Sequence, residues 1–161
     1  ASRGSVLEVW RQCLDEGTPL PLTDPAMSRF WLTLPEAVTY ARNAACHHPR
    51  GCLFVPQLPA FTLGDLLTAF APDAYVCVMG IRPGEKMAEA LMTEGERCRA
   101  RPVIEAERGL LGYIIPSEKR SWPLEEHELP CKAIHIMEPY SSESWSWKLG
   151  IQELKVRLNH L

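Results

Sequence analysis

The chain has 161 residues and a net charge of −3, and its hydrophobic share of 46% supplies enough apolar side chains for one domain with a core of its own. Nothing in that balance favours a nucleic-acid backbone: the basic stretches "RCRAR" (97–101) and "EKR" (118–120) are too short to make a stripe. No run of about 18 apolar residues is available to span a bilayer. No charged-then-apolar leader opens the chain, and six scattered cysteines (13, 46, 52, 77, 98, 131) read as reduced thiols, so a cytoplasmic setting is expected. "CHH" (46–48) and Cys131 with His135 lack the spacing of a four-ligand zinc site, and no metal is expected.

The first residues lack a methionine and run directly into a helix pattern, as expected of a piece of something longer. Ser5 and Glu8 have capping-box spacing, with Val6, Val9, Trp10, Cys13 and Leu14 on one face and Gly17 as the stop. "TPLPLTD" (18–24) has room for one small edge strand. "TLPEAVTYARNAA" (33–45) repeats the helix signature, with Thr33 as cap and Glu36 three residues on. "GCLFVPQ" (51–57) predicts a strand, and "TLGDLLTAF" (62–70) a helix capped by Thr62 and stopped by Pro72. "YVCVMGI" (75–81) has the continuous apolar character of a buried strand, and 84–97 reads as a helix with Pro83 just before it.

Past residue 100 the pattern weakens. "GYIIP" (112–116) can be a strand and "GIQELKVRL" (150–158) a final helix. Between them, 117–149 has no clear period and reads as an arm for docking or binding. Alternation of strands and helices over 18–97 predicts an α/β layer arrangement.

In such a fold, ligands lie beyond the carboxyl ends of strands. Arg82 stands at the expected end of the 75–81 strand, before the expected helix, where free amides, dipole and a planar guanidinium suit phosphate. Glu85, three residues on, could accept from a pair of sugar hydroxyls. The same pair also fits a surface ion-pair residue and a first-turn carboxylate. In "TDPAMSRFWLT" (23–33), Arg29 precedes Phe30 and Trp31, which suits either the wall of a phosphate or base site or a core edge with arginine at its rim.

Several engines of catalysis are missing from the string. No G-x-G-x-x-G follows a strand, so no dinucleotide site is visible. The G-x-S-x-G elbow does not occur, and none of Tyr40, Tyr75, Tyr113 and Tyr140 is followed four residues later by lysine.

"SRGSV" (2–6), "TDPAMSRFWLT" (23–33), "GCLFVPQLPAFTLGDL" (51–66), "GIRPGEKMAEALMTEGE" (80–96) and "YSSESWSWKLGIQEL" (140–154) together resemble the carboxyl-terminal half of an inverting UDP-N-acetylglucosamine 4,6-dehydratase. That family belongs to the extended short-chain dehydrogenase/reductases of bacterial polysaccharide and flagellin-glycan biosynthesis. The resemblance implies the substrate-binding portion of such an enzyme: a small sheet with flanking helices, without the full Rossmann domain. It implies a nucleotide-sugar-binding region over 1–100, and an arm and helix over 101–161 that pack on it or on a neighbour. Arg29 and Arg82 are then expected on the UDP diphosphate and Glu85 on the ribose. Arg3 and Ser5 fall near the cleft, and Pro21 to Thr23 along the uracil.

NADP, and the tyrosine and lysine of the reaction, belong to the amino-terminal half of such enzymes; no cofactor is expected in this chain, which alone should be inactive. Gln57 stands where the family has lysine, and His47, His48 and Pro49 alter the turn before residue 51. The implied partners are a UDP-sugar, the missing Rossmann half and further copies of the chain, because a half cut from its mate should expose apolar surface. Two other readings stay open: a free-standing non-catalytic binding module, and an assembly element docking through Trp122, Tyr140, Trp145 and Trp147.

Overall fold

The computed structural model describes residues 5–47, 51–105, 109–116 and 140–160. The fold class is α/β, with small sheets and flanking helices, as the alternation predicts. Its elements begin with α1 (Val6–Glu16), β1 (Leu20–Leu22), β2 (Ser28–Phe30), α2 (Leu34–His47), β3 (Cys52–Pro56) and β4 (Ala60–Thr62). They continue with α3 (Leu63–Phe70), β5 (Val76–Val78), α4 (Glu94–Arg99), β6 (Arg101–Glu105), β7 (Gly109–Pro116) and α5 (Ile151–Leu158). Two compact units share the chain: one takes 1–31, 59–89 and 146–161, the other 32–58 and 90–145. Residues before and after 100 thus contribute to both.

In the first unit, the Ser5 hydroxyl accepts from the Glu8 amide at 3.4 Å and starts α1. Gly17, at φ 66°, ends it in a left-handed turn that costs glycine no Cβ clash. The core face is Leu7 and Trp10, flanked by half-buried Val6 and Cys13; Val9 and Leu14, expected there, are exposed at the edges of the stripe. The buried Trp10 indole donates to the Pro21 carbonyl at 2.8 Å, fixing α1 to β1. β1 and β5 pair in parallel, Leu20 opposite Val76 and Leu22 opposite Val78. β2 and β4 pair antiparallel, and Ala60 also bridges Lys148. Thr62 caps α3 by accepting from the Asp65 amide at 3.0 Å. Leu66 of α3 and Leu154 of α5 join the core around Trp10 and Leu20.

In the second unit, Thr33 and Glu36 close the predicted capping box. The Glu36 carboxylate accepts from the Thr33 amide at 2.8 Å, and the Thr33 hydroxyl accepts from the Glu36 amide at 3.4 Å. The sheet has the order β3-β7-β6, antiparallel throughout. Gly112 of β7 sits so close to β3 that a Cβ there would run into the Val55 carbonyl oxygen. Only glycine permits that approach. Buried Tyr140 donates its phenol to the Pro56 carbonyl and accepts from the Leu58 amide, both at 2.7 Å, and its ring packs on Trp145 with centroids 4.4 Å apart.

Two expectations are corrected. The apolar run 75–81 forms a strand only at Val76–Val78, and it is not buried: Tyr75, Val78 and Met79 are 79%, 62% and 52% exposed. Its neighbour β1 takes the core positions instead, through Leu20 and Leu22.

The helix expected over 84–97 forms only at Glu94–Arg99, behind a Thr93–Glu96 capping box. Gly84, at φ 83°, breaks the right-handed path, and the Ser28 amide donates to the Met87 carbonyl. The Leu91 amide likewise goes to the Tyr140 carbonyl, so groups that a helix would pair internally are spent elsewhere. The strand expected at 112–116 forms as part of β7, while three-residue β2 and β4 and the strand β6 have no counterpart in the sequence pattern. Of the expected arm, 117–139 lies outside the described residues; Tyr140 and Trp145 are buried, and Trp147 is exposed.

Candidate functional site

The candidate residues of the first unit gather where the chain leaves its parallel strand pair. After β1 comes Thr23, and after β5 comes Gly80; the Gly80 amide donates to the Thr23 carbonyl at 3.1 Å, just past the Met79–Leu22 bond of 2.8 Å. Beyond Thr23, the Asp24 carboxylate accepts from the Ala26 amide at 2.7 Å and bends the chain into β2. Beyond Gly80, Pro83 and Gly84 form the corner of a turn closed by the Glu85 amide donating to the Arg82 carbonyl at 3.0 Å. The Glu85 carboxylate accepts from the Arg82 amide at 3.4 Å. Segment 80–89 then returns to β2 through the Ser28–Met87 bond of 2.8 Å. The segments around 23–29 and 80–89 are therefore stitched side by side.

Arg82 and Glu85 are both exposed, and the Arg82 guanidinium has no hydrogen-bond or ion-pair partner among the described residues. The expected helix start behind Arg82 is absent, so a turn amide, not a helix dipole, adjoins it. Arg29 differs. Its Nη1 donates to the Ser28 and Met87 carbonyls at 2.7 and 3.3 Å, its Nη2 to the Met27 sulfur at 2.9 Å, and its Nε lies 3.5 Å from Glu89. Phe30 is half-buried, while Trp31 is a core residue packed edge-on against Phe61, with its buried indole N–H unpartnered among the described residues.

Thr23, Arg29, Arg82 and Glu85 are thus joined through neighbouring backbone. Ser5 is occupied as the cap of α1, and Arg3 lies outside the described residues. Sequence reasoning missed Glu89 and Met27, the side-chain partners of Arg29. A carboxylate in 80–90 was visible, but nothing local assigns it to an arginine 60 positions earlier.

Two hollows elsewhere, of about 400 and 410 Å³, do not include these residues. One is lined by α2 and Phe54, the other by Arg11, Phe70 and Lys155. Among the described residues, β5 leads into a loop and the Pro83–Gly84 turn, and β4 enters α3 directly at Leu63. No helix among the described residues is long and apolar enough to cross a membrane.

Fold and motifs together define an α/β chain of the extended short-chain dehydrogenase/reductase type, and comparison with known proteins supports that level of the resemblance. The chain belongs to the family described as polysaccharide biosynthesis protein, whose profile matches residues 1–106. It is 34% identical over 96 residues to an inverting UDP-N-acetylglucosamine 4,6-dehydratase of Campylobacter jejuni, covering 59% of this chain and 29% of that protein. It is 28% identical over 160 residues to a UDP-glucose 4-epimerase of Rickettsia canadensis, covering 96% of this chain and 45% of the epimerase. Among solved structures, Pen from Bacillus thuringiensis superposes with a TM-score of 0.77 at 28% identity, over 100% of this chain and 46% of Pen. The chain spans less than half the length of each of these relatives.

Proposed function

We propose that the chain binds a nucleotide sugar of the UDP-N-acetylglucosamine type and forms the substrate side of a sugar-nucleotide 4,6-dehydratase of bacterial polysaccharide or flagellin-glycan biosynthesis. The observation that carries the reading is the exposed Arg82 guanidinium, unpartnered among the described residues, on a turn held by Glu85 and tied to Thr23. An arginine held by its backbone, with its donor fork open to solvent, suits a diphosphate. Glu85 in the same turn has an exposed carboxylate for ribose hydroxyls, and Thr23 has a backbone position for the base. Arg29 supplies the second cation beside segment 80–89, and Arg3 and Ser5 complete the proposed surroundings.

Hydride chemistry requires NADP held by a Rossmann half, so this chain alone binds without turnover. The exposed apolar side chains of 75–81 favour association, and we assign them to contact with a second copy in a cytoplasmic homo-oligomer.

Titration calorimetry with UDP tests the binding. Saturation in the micromolar to millimolar range is expected, and no heat at millimolar UDP would refute the reading.

A further inference from the structure

The Arg29 guanidinium is already occupied, and its occupants are of two kinds. The Ser28 and Met87 carbonyls and the Met27 sulfur are neutral acceptors on Nη1 and Nη2, and they orient the plane of the group. Glu89, on the Nε edge, is the one full negative charge at Arg29 among the described residues. Its contact is long, at 3.5 Å against about 2.7–2.9 Å for a close charge-assisted bond. The Glu89 side chain is half exposed while that of Arg29 is mostly covered, at 50% and 22%. The three neutral acceptors keep the guanidinium oriented whichever anion faces its Nε edge.

We propose that Glu89 is an internal stand-in for phosphate: it neutralises Arg29 in the empty protein and gives up the Nε edge when a diphosphate arrives. The proposal rests on the nucleotide-sugar reading above and extends it. Glu89 belongs to segment 80–89, the same segment that carries Arg82 and Glu85. The contact therefore adds to the Ser28–Met87 and Arg29–Met87 bonds that keep that segment beside β2, and those bonds stay when the ligand replaces it. A ligand must supply enough negative charge to outcompete a tethered carboxylate, so the exchange selects diphosphates over singly charged anions.

The test is calorimetric titration of UDP and of inorganic pyrophosphate into wild type, Glu89→Gln, Arg29→Gln and the double variant. Glu89→Gln should bind both ligands about three- to fivefold more tightly, the scale of a partly exposed ion pair removed from competition. In the Arg29→Gln background, Glu89→Gln should change nothing. Equal or weaker binding by Glu89→Gln overturns the proposal. So does a gain that survives without Arg29, since that would be a general charge effect. If wild type binds and only the gain is missing, the exchange fails while the binding site stands; if no form binds either ligand, both fall.

Discussion

Arg29 donates to the carbonyl of Met87, 58 residues further along the chain, at 3.3 Å. With the Ser28 amide bonded to the same carbonyl, this contact makes the segment bearing Arg82 a neighbour of β2. The two stretches that the resemblance assigns to one diphosphate therefore share a backbone junction, and consequences can be checked from it.

Arg82→Ala should weaken UDP binding by about 1.5–3 kcal/mol, the scale of a hydrogen bond to a charged group. Its exposed guanidinium has no hydrogen-bond or ion-pair partner among the described residues, so stability should stay within about ±0.5 kcal/mol. Arg82→Lys should recover only part of the affinity, since an ammonium lacks the two-pronged geometry. Calorimetry and thermal melts read the two effects separately.

Gly112→Ala should destabilise the β3–β7 pairing by about 1–3 kcal/mol or more, because the added methyl would meet the Val55 carbonyl. Hydrogen exchange should report the loss on the amides of Phe54, Val55 and Gly112–Ile114.

Tyr140 predicts an alkaline limit. Burial, its largest cause, pushes the phenol far above the usual value, and burial pushes Tyr113 the same way. The unfolded chain releases these protons first, near pH 10. Stability contributed by the neutral phenols is therefore complete below about pH 10 and is lost as pH rises through the folded values. Tyr140→Phe should make that loss shallower in alkaline melts. It should also cost about 1–3 kcal/mol at neutral pH, because the Leu58 amide and Pro56 carbonyl lose their partner.

For the exposed β5 region, sedimentation velocity should find an oligomer that Val78→Lys shifts to monomer without altering the far-ultraviolet spectrum. Val78 is 62% exposed, so the lysine meets no packing constraint within the unit. A wild-type chain that stays monomeric at high concentration would remove the association claim.

Much of the local architecture could be read directly. Ser5 before α1, Thr33 with Glu36 and Thr62 with Asp65 mark helix starts because the cap and its amide lie three residues apart. The failures have a physical cause too. The stretch from Gly84 to Thr93 has the composition of a helix, but Met87 and Leu91 meet distant backbone partners. β2 and β4, three residues each, are too short to display a period of two.

The candidate site divides along the same line. That Arg82 would follow β5 with Glu85 three residues on could be read from the string, but Pro83 and Gly84 read as a helix start where the folded chain makes a turn. That Arg29 would be covered by Met27, Met87 and Glu89, or that the most apolar stretch would leave β5 exposed, follows from the path of the whole chain. Capping and turn chemistry act within four residues and are written in order along the string. Ion pairing and burial depend on which distant segments meet, and folding alone brings those together.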